Sequence, residues 1–282
     1  MSRYRIVRWS VLVGVLLTIV VGVSAQTLPE GNEYVPHPYQ EGKDVVWVPT
    51  EQALTDKMLD LARVTPQDFV IDLGSGDGRI VITAARRGAR ALGIEYNPEM
   101  IALSNRNAIK TGVTDKARFV QADLFESDFS QASVITMFLL PDINLRLRPK
   151  ILDLKPGTRI VSNSFDMADW EADKTVSVTP EEGCKNSFCN AYLWIVPAKV
   201  EGEWKLPQGK LTLRQKFQMV SGELTSESNT MKVTKGKLNG DQITFTIKGV
   251  QYSGRVNGNS MQGTVKTGGR NKEWSATRIE GT

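Results

Sequence analysis

The stretch that most constrains this chain is Phe69-Val70-Ile71-Asp72-Leu73, a short apolar run ending in Gly74-Ser75-Gly76-Asp77-Gly78 and followed at once by Arg79 to Arg87. A buried strand that stops on alternating glycines and restarts as a helix predicts a parallel strand–helix unit. Glycine allows the tight turn and lets backbone approach a ligand closely. The pattern then recurs. Ala91-Leu92-Gly93-Ile94 reads as a second strand ending at Glu95. Pro98 opens a helix through Lys110 that Gly112 closes. Ala117 to Val120 is a third strand reaching Asp123, Ser133 to Phe138 a fourth, Ile143 to Leu154 a helix, and Arg159 to Val161 a fifth strand. Two further strands, about Thr175–Val178 and Tyr192–Val196, complete the sheet. Upstream, Thr50 is expected to N-cap a helix whose apolar face is Leu54, Met58, Leu61 and Ala62. The expected fold is α/β, a doubly wound, mostly parallel seven-stranded sheet.

In such sheets the carboxyl ends of the strands form the ligand crevice. A glycine loop alone is weak, because such turns often carry glycine only for packing. Here Glu95 ends the next strand, where a carboxylate can accept from two ribose hydroxyls, and Asp123 follows the third, where an acid can meet an adenine amino group. The loop reads Gly-x-Gly-x-Gly and is flanked by Asp72 and Asp77. Those carboxylates would repel a pyrophosphate. They suit S-adenosylmethionine, whose ammonium and sulfonium are cationic. No Gly-Lys-Ser or Gly-Lys-Thr follows, so a P-loop is excluded.

Val70 to Arg79 resembles motif I of class I S-adenosylmethionine-dependent methyltransferases. Val48-Pro49-Thr50 and Leu73 to Ile82 are similar to a narrower group, the bacterial relatives of the ATP synthase c-subunit lysine methyltransferase family. The resemblance covers about residues 45–165. It implies a Rossmann-like sheet, S-adenosylmethionine as cofactor, and contacts from Asp72, Gly74, Gly76, Glu95 and Asp123. The candidate cofactor-binding set is Asp72, Gly74, Ser75, Gly76, Gly78, Glu95, Asn97, Asp123 and Leu124. The family's motif after the fourth strand falls on Phe138-Leu139-Leu140-Pro141, which departs from the Asn/Asp-Pro-Pro-aromatic form of many amino-group methyltransferases. Leu140, Pro141 and Asp142 are the catalytic candidates. Asp142 could help an amine shed its proton, but its competing role, N-cap of the helix from Ile143, is favoured. Trp47, Tyr34 and Tyr39 are candidates for a lid over the cofactor or a cover for core.

The ends of the chain differ from this middle. Arg3, Arg5 and Arg8 precede an apolar run from Val11 to Val23 and a small-residue site at Val23-Ser24-Ala25. This reads as a secretory signal peptide, with an uncleaved membrane anchor as its rival, since the run is short for a span. Either reading places the remainder outside the cytosol, periplasmic or extracellular or tethered at a membrane. Residues 26–200 hold 19 basic against 24 acidic residues, and residues 201–282 hold 13 against 7. The expected organisation is a leader at 1–25, an extended lead-in at 26–48, the α/β domain at 49–200 and a small antiparallel β-sandwich or barrel-like domain at 201–282. In that tail Leu211 and Leu213, and Ile243, Phe245 and Ile247, alternate with polar residues, and Asn239-Gly240 and Asn257-Gly258 mark hairpins. Its charges, spread along alternating strands, read as a solvated face and argue against nucleic acid. Cys184 and Cys189, with His37 far away, are too few for zinc. No metal is expected, and in an exported protein the pair reads as a disulfide closing one loop.

Two functions follow. The first is a methyltransferase acting by in-line displacement on a protein or small-molecule acceptor, a protein lysine among them, with the tail presenting substrate. The second is an exported, non-catalytic binding module in which the tail carries the ligand. The acceptor and the oligomeric state are not written in the sequence.

Overall fold

The structure is a computed structural model that describes residues 34–279 save 228 and 268. The leader expected at 1–25, and the start of the lead-in, lie outside the described residues. Residues Val35–Thr282 form a single folded unit that contains both the sheet and the tail.

The α/β part runs α1 (Gln52–Leu61), β1 (Phe69–Leu73), α2 (Arg79–Arg86), β2 (Arg90–Glu95), α3 (Pro98–Thr111), β3 (Ala117–Gln121), β4 (Val134–Met137), α4 (Pro141–Leu152), β5 (Arg159–Asn163), β6 (Lys174–Ser177) and β7 (Asn190–Ile195). The strands order as β3-β2-β1-β4-β5-β7-β6. All neighbours are parallel except β7, which is antiparallel to both β5 and β6. The central strands are mostly apolar because both faces are covered, with Asp72, Thr136, Ser162 and Asn163 as their buried polar residues. Val70, Val134 and Val161 pack with α1, α2 and the end of α3 on one face. Ile71, Ile135 and Ile160 pack with Ile143, Leu147 and Ile151 of α4 on the other. The chain winds outward from β1 to β3 and returns to β4 beside β1. The β1/β4 boundary is therefore the topological switch point, where such sheets open a crevice.

Two helix starts differ from expectation. Thr50 does not cap α1: Glu51 takes that position without a side-chain bond. Thr50 is buried, and its Oγ1 instead accepts from Asn163 Nδ2 at 3.1 Å. Asp142 is not the cap of α4, because Pro141 already occupies the first helical position and Leu140 the cap. Pro141, with its fixed φ, starts the helix two residues earlier than the apolar pattern suggests. Asp142 is left in the first turn, where it complements the helix dipole.

The tail is a closed antiparallel barrel of β8 (Gly202–Leu206), β9 (Gly209–Lys216), β10 (Met219–Thr225), β11 (Thr230–Asn239), β12 (Gln242–Ile247), β13 (Val250–Asn257), β14 (Ser260–Thr267) and β15 (Arg270–Arg278). Sequential strands pair, and β15 returns to β8 through Thr277↔Lys205 and Arg278↔Trp204. Gly240 and Gly258 turn at φ +62° and +56° as first residues of two-residue hairpin loops. The interior is filled by side chains, among them Trp204, Leu211, Leu213, Ile243, Phe245, Ile247 and Trp274. The barrel docks through Phe217, stacked 5.6 Å from Trp170, and through Gln218 Nε2, which donates to Glu171 O at 2.8 Å. Ala198 N donates to Gly240 O at 2.8 Å, and Gly240 sits against Gly157. Gly157 precedes β5 and Ile195 ends the antiparallel β7, so this contact lies at the end of the sheet opposite the strand carboxyl ends.

Candidate active site

The turn after β1 is held in left-handed geometry at three alternate positions: Gly74, Gly76 and Gly78 have φ of +77°, +52° and +82°. Gly74 N and Ser75 N both donate to Ile94 O, at 2.9 and 3.1 Å, which ties the turn to the neighbouring strand. Gly76 and Gly78 do different work. A Cβ on Gly76 would lie 2.5 Å from Trp47 Nε1, so its bareness lets the indole close on the loop. A Cβ on Gly78 would strike the Phe119 ring at 2.7 Å and Ser104 Cβ at 2.9 Å, so Gly78 serves helix–sheet packing. Ser104 Oγ donates to Gly76 O at 2.7 Å and Asn107 Nδ2 to Asp77 O at 2.9 Å, which fixes the carbonyls on the α3 side.

Around this loop one cavity is lined by Asp72, Gly74, Ser75, Gly76, Asp77, Glu95, Asn97, Asp123 and Leu124. Its walls continue into Gln40–Thr50 and the post-β4 residues Phe138 and Leu139. Of the candidate binding residues, only Gly78 lies outside the lining. Leu140, Pro141 and Asp142 also lie outside it, exposed at the start of α4, while their neighbours Leu139 and Ile143 face in. Among the described residues, none of the barrel reaches the cavity.

The acids here are held in distinct ways. Asp72 is 3 % exposed, and Thr136, its in-register neighbour on β4, donates Oγ1 to Asp72 Oδ1 at 2.6 Å. Burial pushes the Asp72 carboxyl up to about 7; the Thr136 bond opposes this, and the Glu95 and Asp77 charges add to it. Glu95 Oε2 accepts from Gly76 N at 2.9 Å, and its Oε1 accepts from Tyr96 N and Asn97 N, each at 2.9 Å. Glu95 thereby links the glycine loop to the start of α3, where Asn97 Oδ1 caps Glu99 N. Asp77 is paired by Arg79, whose Nη1 also donates to Thr50 O at 2.6 Å. Asp123 accepts from Phe125 N at 2.8 Å and from Lys43 Nζ, and the Lys43 bond leads in holding its carboxyl below the ordinary range.

Residues 39–47 fold over the site as a strap. Tyr39 N donates to Trp47 O at 2.8 Å and Trp47 N to Gln40 O at 2.9 Å. Of the expected lid aromatics, Trp47 lies on Gly76, whereas Tyr39 is 65 % exposed. Lys43, the residue sequence reasoning missed, crosses 80 positions of sequence to reach Asp123 and lies 4.6 Å above the Tyr96 ring. Nothing local in the sequence marks it.

A buried acid raised toward neutrality beside two further carboxylates is a poor seat for phosphate and a good one for a cationic ligand. The indole of Trp47 closing on Gly76 and the backbone-anchored Glu95 give such a ligand a wall and a fixed acceptor. S-adenosylmethionine, cationic at its ammonium and sulfonium and free of phosphate, meets this donor set.

Comparison with known proteins agrees. The family described as the ANTKMT methyltransferase domain matches residues 72–174. A protein-lysine N-methyltransferase of Saccharolobus islandicus is 42 % identical over 166 residues, 58 % of this chain and 96 % of that protein. The ATP synthase c-subunit lysine N-methyltransferase of Mus musculus is 38 % identical over 107 residues, and the chain spans 43 % of its length. A crystal structure described as an RNA methyltransferase, from Salinibacter ruber in complex with S-adenosyl-L-homocysteine, superposes with a TM-score of 0.50. It is 46 % identical, across 54 % of this chain and 96 % of that one. Fold and site together define an enzyme that uses S-adenosylmethionine to transfer methyl groups. Within that class, the chain belongs to the methyltransferase family of the Saccharolobus enzyme.

Proposed function

We propose that this methyltransferase is a protein-lysine N-methyltransferase. The observation that carries the reading is the 42 % identity to a protein-lysine N-methyltransferase across 96 % of that enzyme's length. The cavity is the cofactor site. With S-adenosylmethionine bound, Asp72 would face the ammonium group, Glu95 would accept from the ribose, and Asp123, released from Lys43, would accept from the adenine amino group. Gly74, Ser75, Gly76, Asn97 and Leu124 shape the remaining wall. The bound cofactor supplies a methyl group already activated by its sulfonium, so the chain needs no covalent nucleophile and no metal. Its residues do positional work. Trp47 and the strap close over the loop and exclude water. Phe138 and Leu139 carry the wall of the cavity past the end of β4 to the acceptor side. Asp142 lies exposed on the first turn of α4, beside the lining residue Ile143 and outside the cavity lining itself.

Arg3, Arg5 and Arg8 before the apolar run Val11 to Val23 read as a leader, and on that reading the protein works outside the cytosol. The Cys184–Cys189 disulfide is consistent with that location. The barrel, on the far side of the sheet from the cavity, serves a partner or surface of its own rather than presenting substrate to the pocket of the same chain.

The test offers the full chain and S-adenosylmethionine a lysine-rich protein extract and total RNA in parallel. Mass spectrometry should find 14-Da increments on lysine and none on nucleosides. Transfer to RNA alone, or to neither with cofactor bound, would overturn the lysine assignment.

A further inference from the structure

Three phenyl rings from separate segments meet beside the cavity, which one of them lines. Phe138 is the first residue past β4 and lines the cavity itself. Phe165 follows the end of β5 by two residues, and Phe188 stands just before β7. Their ring centroids lie 5.2 Å (Phe138–Phe188), 6.0 Å (Phe165–Phe188) and 6.1 Å (Phe138–Phe165) apart, and all three are half-buried.

Two features hold this group in place. At the end of β5 the chain turns through Ser164 at φ +58°, with Phe165 N donating to Asn163 O at 2.7 Å. A left-handed serine is strained and persists where surrounding bonds fix it, often beside a working site. Here Ser164 Oγ donates to Asn163 Oδ1 at 2.7 Å, and buried Asn144 donates Nδ2 to Phe165 O at 3.3 Å and to Asp166 O at 3.1 Å. On the other side, the Cys184–Cys189 disulfide closes the six-residue loop that carries Phe188. Within that loop Phe188 N donates to Asn186 Oδ1 at 2.8 Å.

The surface continues from the cofactor cavity through Phe138. The three rings are apolar and part-exposed, and a phenyl ring offers a ligand its π face but no hydrogen-bond donor. A carboxylate or phosphate gains nothing there. An alkyl chain ending in an ammonium gains on both counts, with its methylenes packed on the rings and its charge against their faces. On the reading of the enzyme as a lysine methyltransferase, we propose that Phe138, Phe165 and Phe188 form the surface that receives the acceptor's alkylammonium side chain, with Phe188 anchored by the disulfide.

The experiment uses the full chain with S-adenosylhomocysteine bound and two synthetic probes, acetyl-Gly-Lys-Gly-amide and its norleucine counterpart, compared by saturation-transfer NMR titration. The wild type should bind the lysine peptide at least fivefold more tightly. Phe188→Leu keeps apolar volume and removes the π face, so it should erase that preference; Phe188→Tyr should keep it. Affinity for S-adenosylhomocysteine should stay within twofold in both. Reduction of the disulfide, or a Cys184→Ser/Cys189→Ser double variant, should weaken the preference in the same direction. Equal or absent binding of the two peptides by wild type, or a preference that survives Phe188→Leu, overturns the proposal. Mass spectrometry of the same lysine peptide after incubation with S-adenosylmethionine separates the two claims. Methylated lysine without preferential binding sinks the aromatic surface and leaves the lysine reading. Preferential binding with methyl found elsewhere does the reverse.

Discussion

Replacing Asp72 with asparagine should stabilise the fold at neutral and alkaline pH while weakening cofactor binding. The carboxyl is buried, and its pKa is raised from 3.8 to about 7. A folded-state value above the unfolded one means that the native chain holds this proton more tightly. Ionising Asp72 therefore costs the native state nothing below the unfolded value, progressively more as pH rises toward 7, and most above it. About three units at ~1.36 kcal/mol each bounds that cost near 4 kcal/mol. Asparagine keeps an acceptor for the Thr136 hydroxyl, 2.6 Å away in the wild type, and never ionises. Urea unfolding followed by circular dichroism at pH 4, 5.5 and 8 measures the difference. The variant should match wild type near pH 4 and exceed it by roughly 2–4 kcal/mol at pH 8. A stability gap that does not change with pH, or a wild type more stable than the variant at pH 8, would refute the reasoning.

Other perturbations separate the parts of the site. Gly76→Ala puts a methyl 2.5 Å from Trp47 Nε1 at φ +52°, so S-adenosylmethionine affinity should fall at least tenfold, and Trp47→Ala should recover part of it in calorimetry. Lys43→Ala frees Asp123 and should tighten cofactor binding a few-fold at low salt, with the gain fading as salt screens the pair. Phe245→Ala empties the barrel core between Tyr252, 5.0 Å away, and Trp274, 5.5 Å away. It should cost about 3–5 kcal/mol in denaturant unfolding and leave cofactor affinity intact, because no described residue of the barrel lines the cavity.

The sheet was legible because its signals are local. Apolar runs of strand length end on Gly74, Glu95 and Asp123, and the alternation with helices dictates parallel pairing. The closed barrel was half legible: alternation at Ile243, Phe245 and Ile247 predicts a one-sided sheet, but closure depends on the two-residue pairing of β15 with β8, which no local pattern encodes. Helix starts failed where Pro141 pre-empted Asp142 and where Thr50 found a distant partner in Asn163. Within the site, the acids were readable from the strand ends. Lys43 on Asp123, and the meeting of Phe138, Phe165 and Phe188, were not, because each depends on chain segments brought together only by the fold.

Calorimetric titration of the full chain with S-adenosylmethionine, for wild type and Glu95→Ala, tests the assignment of the cavity most directly. Glu95 fixes Gly76, Tyr96 and Asn97 through its two oxygens and is the carboxylate assigned to the ribose. Wild type should give saturable one-to-one binding, and Glu95→Ala should weaken it at least tenfold with an unchanged circular dichroism spectrum. A folded wild-type chain that takes up no cofactor, or a variant that binds as well as wild type, would contradict the assignment.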